Sequence, residues 1–465
     1  MKKTTFALFF GNRGFFPGEV IAQAREEMQK AVTDNGFDYI CMDESLTRYG
    51  AVETRQEGKL YAKFLKENEG KFDGVILCMP NFSDENGAAE ALKGINVPVL
   101  VQAYPDELGK MDFAQRRDTV CGKFAMCNVL RQCKIKFTLT KKMAVSPLDE
   151  AFADDLRRFG AICRVVNGMR NFNIGAMGAR TTAFKTVRTD EVALQNKGIN
   201  IETIDLSFIF DLMNNVDENL LAQKKEYFSK LVSFGNYPDE KLTNLSKLGV
   251  VFDKLIEEYS LNAIAVRCWD EFVTQYHIAP CLVLSDLNEK GIPAACELDI
   301  NNAIMMYALY LASENPVMLL DVNNNYGDSP NKNIMFHCSA VPKSFFEEEV
   351  PVISEHLMFK KSYGEGTGVG IVNGTIKTGK VTVATAKTED GKIAGFTTDG
   401  KLTDDKFDKE FFGAGVVFES ANLEGIFKYM CENGYKHHVA IAKGQWSECV
   451  EEALVKYLEY DIDVL

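Results

Sequence analysis

From residue 4 to 104, short apolar runs alternate with longer segments in which apolar residues recur every three or four positions. "TTFALFF", "FDYICMD", "FDGVILCMP" and "VPVLVQAYP" read as strands. "GEVIAQAREEMQKAV", "RQEGKLYAKFLKENEG" and "ENGAAEALKGI" between them read as helices. Strands alternating with helices of this length predict βαβ units and a parallel sheet. A long helical stretch, "MDFAQRRDTVCGKFAMCNVLRQC", leads to the strand "KIKFTLT" and the helix "PLDEAFADDLRRFGAICRVVNGM". The alternation then resumes with strands "NFNIGAM", "INIETIDL", "LNAIAVRC" and "IPAAC", a helix over 297–314, and a closing strand "PVMLLDVNN". After about residue 330 the pattern turns to β-branched segments, "IMFHC", "GVGIVNGTIKTGKVTVATA" and "KIAGFTTDGKL". Asp390-Gly391 and Asp399-Gly400 there predict two tight hairpin turns. The expected fold class is α/β: two doubly wound α/β domains with mainly parallel sheets, 1–150 and 151–328, and a β-rich, barrel-like C-terminal domain, 329–465.

A chain of 465 residues, 46% hydrophobic and 25% charged, has enough apolar material for several cores. The formal charge of −14 is not interrupted by any Lys/Arg-rich run, which argues against a nucleic-acid partner. The 12 cysteines form no C-x-x-C pair, a pattern that suits reduced thiols in the cytoplasm. The N-terminal apolar run stops at Gly11 and reads as a first strand rather than a signal peptide. No stretch approaches the roughly 18 uninterrupted apolar residues of a membrane span.

Candidate chemistry concentrates late in the chain. Glu297 and Asp321 each stand at the end of an expected strand, 24 residues apart, and parallel sheets bind ligands at those ends. A first-turn helix carboxylate is the structural alternative for Glu297. His337, in "IMFHCS", is at another strand end, while His437 and His438 open the strand "HHVAIAK". Carboxylates with imidazole suit Mn²⁺ or Mg²⁺ better than structural zinc. Such a site could polarise a carbonyl while a carboxylate moves a proton beside it. Arg13, Trp269, His337, His437 and Trp446 are candidate substrate contacts, with Trp446 read on the same side as the His-His strand. "IGAMGAR" lacks nucleotide-loop spacing, and "GEGTGVG" is either a turn into the β domain or an active-site lid.

The stretches "FFGNRGFFPGEVIAQAREEM", "NIGAMGART", "IAVRCWDEF", "ACELDINNA", "MLLDVNNN", "FHCSAVPKSFF", "GTIKTGKVTVATA" and "HHVAI" resemble the L-fucose isomerase and L-arabinose isomerase superfamily, in particular its L-fucose isomerase-like branch. The resemblance runs from end to end. It implies aldose–ketose isomerisation through a cis-enediol on a free sugar, 6-deoxy or 6-sulfo among the options. It also implies Mn²⁺, with Mg²⁺ or Co²⁺ as substitutes, and a homo-oligomer, trimer or hexamer. By motif, Glu297 and Asp321 correspond to metal ligands that double as acid and base, and His438 to the C-terminal histidine ligand. His337 matches a histidine of the arabinose branch. A non-catalytic sugar-binding or regulatory protein on the same fold, and a sugar epimerase, are the alternative functions.

Overall fold

The computed structural model describes residues 2–408 and 412–465. The chain divides into two compact units, Met1–Asn167 and Gly168–Leu465.

In the first unit, β1 (Thr5–Phe10), β2 (Asp38–Cys41), β3 (Gly74–Met79), β4 (Val99–Ala103) and β5 (Thr138–Leu139) form one parallel sheet, ordered β2-β1-β3-β4-β5. Both faces of β1 are buried, as a parallel sheet covered by helices requires. Phe6, Leu8 and Phe10 join a core with Ile21, Met28 and Phe159, while Ala7 and Phe9 point into a second core with Tyr61 and Leu77. The helix Arg55–Glu67 begins with a capping box in which Thr54 and Glu57 satisfy each other's backbone N–H groups. Two expectations shrink here. The strand at 134–140 is reduced to two residues, and the helix expected from 111 starts only at Thr119. The Asp106 carboxylate accepts the N–H groups of Arg117 and Asp118 at 2.7 and 3.2 Å, which offers that backbone an alternative to helical bonds.

The second unit opens with another parallel sheet: β6 (Phe172–Met177), β7 (Ile199–Ile204), β8 (Ala263–Val266) and β9 (Ala294–Cys296), ordered β7-β6-β8-β9. The helix Ile300–Ser313 follows and is buried on nearly every face, because it packs against β8 on one hand and against barrel strands on the other. Those strands are β10 (Val317–Asn325), β11 (Lys332–His337), β14 (Gly379–Glu389), β15 (Lys392–Thr403), β16 (Ala414–Glu419) and β17 (His438–Lys443); β12 (Val352–Glu355) and β13 (Val369–Asn373) form a separate pair, and β18 (Asp461–Val464) adds parallel to β15. The order β14-β17-β10-β11-β16-β15 closes on itself through the β14–β15 pairing, so the sheet is a six-stranded antiparallel barrel. Met318, Leu320, Val383, Val439 and Ile441 of the barrel share one continuous core with Ile264 and Val266 of the parallel sheet.

The α/β class with parallel sheets and a β-rich C-terminal part is therefore present. One strand changes sheets. β10, read as the last strand of the central parallel sheet, instead pairs antiparallel with β11 and β17. Its apolar run suits either environment, and periodicity alone does not separate them.

The two Asp-Gly pairs also part company. Asp390-Gly391 is a two-residue turn between the paired residues Glu389 and Lys392, with φ of 50° and 74°, as a type I′ hairpin needs. Asp399-Gly400 lies inside β15, where Asp399 accepts from the hydroxyls of Thr382 and Ser447 at 2.6 and 2.7 Å. A Cβ on Gly400 would lie 2.4 Å from the Phe418 ring and 2.8 Å from the Glu419 carbonyl. Gly400→Ala is therefore expected to cost about 1–3 kcal/mol, seen as a lower melting temperature, while Asp390→Asn at the exposed turn leaves it nearly unchanged.

Candidate active site

The Nε2 atom of His438 is the point on which the late acidic and imidazole groups converge. His438 is the first residue of β17, and Asp321 of β10 stands opposite it in register. His337 ends β11, the neighbour of β10 on its other side. Glu297 arrives from elsewhere, directly after the short strand β9. Glu297 and Leu298 both adopt left-handed backbone, with φ of 60° and 61°, held by the bonds Leu298 N–H to Val266 O at 3.0 Å and Asp299 N–H to Cys296 O at 3.1 Å. Two successive non-glycine residues in this region store backbone strain of about 1–3 kcal/mol each, and surrounding packing must hold it.

His438 is wholly buried. Its Nδ1 lies 2.9 Å from Asp299 Oδ2, in hydrogen-bond contact. Its Nε2 lies 2.9 Å from Glu297 Oε2 and 3.4 Å from Asp321 Oδ1. Neither approach has hydrogen-bond geometry, so Nε2 and Asp321 Oδ1 are both buried polar atoms without a hydrogen-bond partner. One donor atom each from Glu297, His337 and His438 fall within 4.8 Å of one another, and so do donor atoms from Asp321, His437 and His438. His438 is common to both groups.

The charges are strongly coupled. Burial lowers the affinity of His438 for a proton, but the hydrogen bond to Asp299 and the closely placed Glu297 and Asp321 carboxylates prevail and push its pKa up to about 10. For His337, burial is again overcome, by Cys338 and by the Asp321 and Glu297 carboxylates, to about 9. Burial raises the Asp321 carboxyl and Glu297 adds to the rise, against the pull of His337 and His438. Burial also opposes ionisation of Asp299, yet Lys436 and His438 hold it below the usual carboxylate range. His437 is lowered by burial and by the neighbouring His438.

This donor set fits a divalent cation. Unpartnered buried polar atoms are costly, and two of them face each other here, one imidazole nitrogen and one carboxylate oxygen. Their 3.4 Å separation is close to what two ligands of one ion, each bound at about 2.0–2.2 Å, adopt.

Arg13 lies in the first unit just beyond β1, where its guanidinium pairs with Glu85 and sits 4.3 Å from the centre of the Phe82 ring. Trp269 is partly buried against the core, with the Phe184 ring 5.7 Å away. Trp446 lies past the far end of β17 from His438, its indole N–H donated to Lys443 O at 2.9 Å. Phe184 was not visible as a site residue in the sequence. Its ring lies 5.7 and 5.6 Å from those of His437 and His438 and 5.7 Å from Trp269, so it walls the imidazole pair. Asp299 and Lys436 were likewise missed; the only signals were the second acid of "ELD" and the Lys just before the two histidines.

Residues 7–170 match the profile "Fucose/sulfoquinovose isomerase, N-terminal domain", and residues 335–465 match "L-fucose isomerase, C-terminal domain". The chain belongs to the L-fucose isomerase superfamily. Membership makes it an aldose–ketose sugar isomerase. Proteins named sulfoquinovose isomerase from Priestia megaterium and Priestia aryabhattai are each 26% identical over 456 residues, covering 96% of this chain and 96% of theirs. One from Alkalicoccus urumqiensis is 26% identical over 291 residues, 61% of this chain and 63% of its own. The superfamily profiles reach His337 and the His437-His438 pair, whereas Glu297 and Asp321 fall between the two matched regions.

A raised histidine pKa contributes stability that is complete below the unfolded value, about 6.5, and is lost as pH rises through the folded value. For His438 the window is therefore about pH 6.5 to 10. Chelator-treated wild type should lose melting temperature across it, and His438→Gln should flatten that part of the profile.

Proposed function

We propose that the chain interconverts the aldose and 2-ketose forms of a 6-sulfonated sugar of the sulfoquinovose type, with a divalent cation, Mn²⁺ foremost, held by Glu297, Asp321 and His438. His337 is proposed as a further ligand. The observation that carries this reading is the pair of unpartnered buried atoms, His438 Nε2 and Asp321 Oδ1, beside the Glu297 carboxylate. The choice of sugar draws support from relatives named sulfoquinovose isomerase that align with 96% of the chain.

The reaction is redox-neutral: one proton leaves C2 and arrives at C1, and one passes from O2 to O1. When bound, the cation would act as a Lewis acid on the sugar oxygens. Glu297 is assigned the carbon-bound proton. Its left-handed backbone projects the carboxylate toward the imidazole cluster, and it remains 8% exposed, so a substrate has a way to it. Asp321, with its side chain 20% exposed, is assigned the oxygen-bound proton. Phe184 and Trp269 supply apolar walls that keep water away from an enediol, the intermediate vulnerable to stray protonation.

We also propose a cytoplasmic homo-oligomer. Supporting it, no helix among the described residues is long and apolar enough to cross a membrane, all 12 cysteines are free, and the first unit exposes Leu108, Phe113 and Phe124 at 95%, 73% and 65%.

The test is turnover of sulfoquinovose in D₂O, followed by NMR for ketose formation and deuterium at C1 and C2, with L-fucose, L-arabinose and D-glucose in parallel. Chelation should abolish exchange and Mn²⁺ restore it. Glu297→Gln should lower kcat by about 10²–10⁴-fold while circular dichroism stays unchanged. Full activity in that variant, or none on any sugar with any divalent metal in the wild type, removes the proposal.

A further inference from the structure

We infer that Asp299 and Lys436 are positioning residues that turn the Nε2 face of His438 toward the cation, an inference that rests on the metal-site reading above. Asp299 is 0% exposed, and its carboxylate is filled by this chain alone. Oδ1 receives Lys436 Nζ at 2.8 Å and the Asn302 backbone N–H at 3.1 Å. Oδ2 receives Asn302 Nδ2 at 2.8 Å and His438 Nδ1 at 2.9 Å. A carboxylate has about four acceptor positions, so Asp299 has none left for a metal or a substrate proton.

The consequence lies in the ring. An ionised carboxylate only accepts, so the hydrogen of its bond with His438 must be on Nδ1, which leaves Nε2 as the coordinating nitrogen. Lys436, itself only 6% exposed, supplies the positive charge that allows Asp299 to stay ionised in a dry interior, and it is anchored a second time by donating to Ala386 O at 3.0 Å. The His438 backbone is fixed by the same group of residues: its carbonyl accepts from Asn302 Nδ2 at 3.0 Å and lies 3.0 Å from the Thr385 hydroxyl. Asn302 thus ties the ring's carboxylate and the strand's backbone to the N-terminus of one buried helix.

Asp299→Asn separates positioning from packing. Each carboxylate oxygen faces two donors, so whichever way the amide turns, its NH₂ group confronts N–H groups: on the Oδ2 side it displaces His438 Nδ1, and on the Oδ1 side it meets Lys436 and the Asn302 N–H and leaves Nδ1 only a neutral acceptor in place of a charged one. The experiment uses the full chain, stripped with chelator, and titrates Mn²⁺ alone by calorimetry and by electron paramagnetic resonance of the free ion. Wild type, Asp299→Asn, Lys436→Met and the double variant are compared, each with its metal-free melting temperature.

Asp299→Asn is expected to weaken Mn²⁺ binding by about 10–100-fold. Lys436→Met, which strands a buried carboxylate, should lower the metal-free melting temperature most. In the double variant no charge is left unpaired, so the melting temperature should recover while Mn²⁺ affinity stays low, an outcome that a purely structural role would not give. Asp299→Asn binding Mn²⁺ within twofold of wild type, or affinity returning together with melting temperature in the double variant, overturns the inference and leaves the metal site standing. A wild type that binds no Mn²⁺, Co²⁺ or Mg²⁺ overturns both.

Discussion

Three carboxylates, Glu297, Asp299 and Asp321, crowd one buried imidazole, and so much negative charge does not stay in a protein interior without cations to answer it. Two like charges 4 Å apart repel by about 4 kcal/mol at an effective dielectric of 20, a large share of the stability of an ordinary domain. Lys436 and a proton on His438 answer part of this charge from within the chain. The geometry around them is arranged to keep the acids together: a left-handed turn at Glu297, a helix whose positive N-terminal end faces Asp299, and a strand register that sets Asp321 against His438. The helix Ile300–Ser313 is the tie among these parts, since it starts from the end of β9 and packs against the barrel strands β14 and β17.

Much of the architecture could be read from the order of apolar residues. Fully buried parallel strands such as Thr5–Phe10 and Gly74–Met79 appear as uninterrupted apolar runs, and the hairpin at Asp390-Gly391 follows from turn chemistry. What could not be read was partner choice. Val317–Asn325 has the same apolar start whether it closes a parallel sheet or joins a barrel, and Asp399-Gly400 spells a turn although neighbouring hydroxyls and the Phe418 ring keep it inside a strand. Local sequence encodes the element; contacts with residues far along the chain decide what it pairs with.

The candidate site was partly legible for a similar reason. Glu297, Asp321, His337 and His438 stand out because a polar residue closing or opening an apolar strand invites a chemical explanation. Asp299, Lys436 and Phe184 do not stand out in that way. An acid in the first turn of a helix, a lysine before a strand and a phenylalanine in a loop are ordinary positions, and their part emerges only when strands β10, β11 and β17 lie side by side beneath them. Arg13 and Trp446 were attractive by residue type alone; in the structure the Arg13 guanidinium pairs with Glu85, and the Trp446 indole N–H is donated to Lys443 O.

Ring closure of the barrel carries a consequence for fidelity. A strand at the open edge of a sheet can slide by one residue and still keep most of its bonds, but that slide would exchange His438 with Val439 between the two faces. In a closed ring each strand is threaded between two neighbours whose own partners are fixed, so no single strand can shift without breaking the circle. The circle therefore acts as a ratchet with one tooth engaged, and the facing of the imidazole becomes a property of the whole barrel rather than of β17.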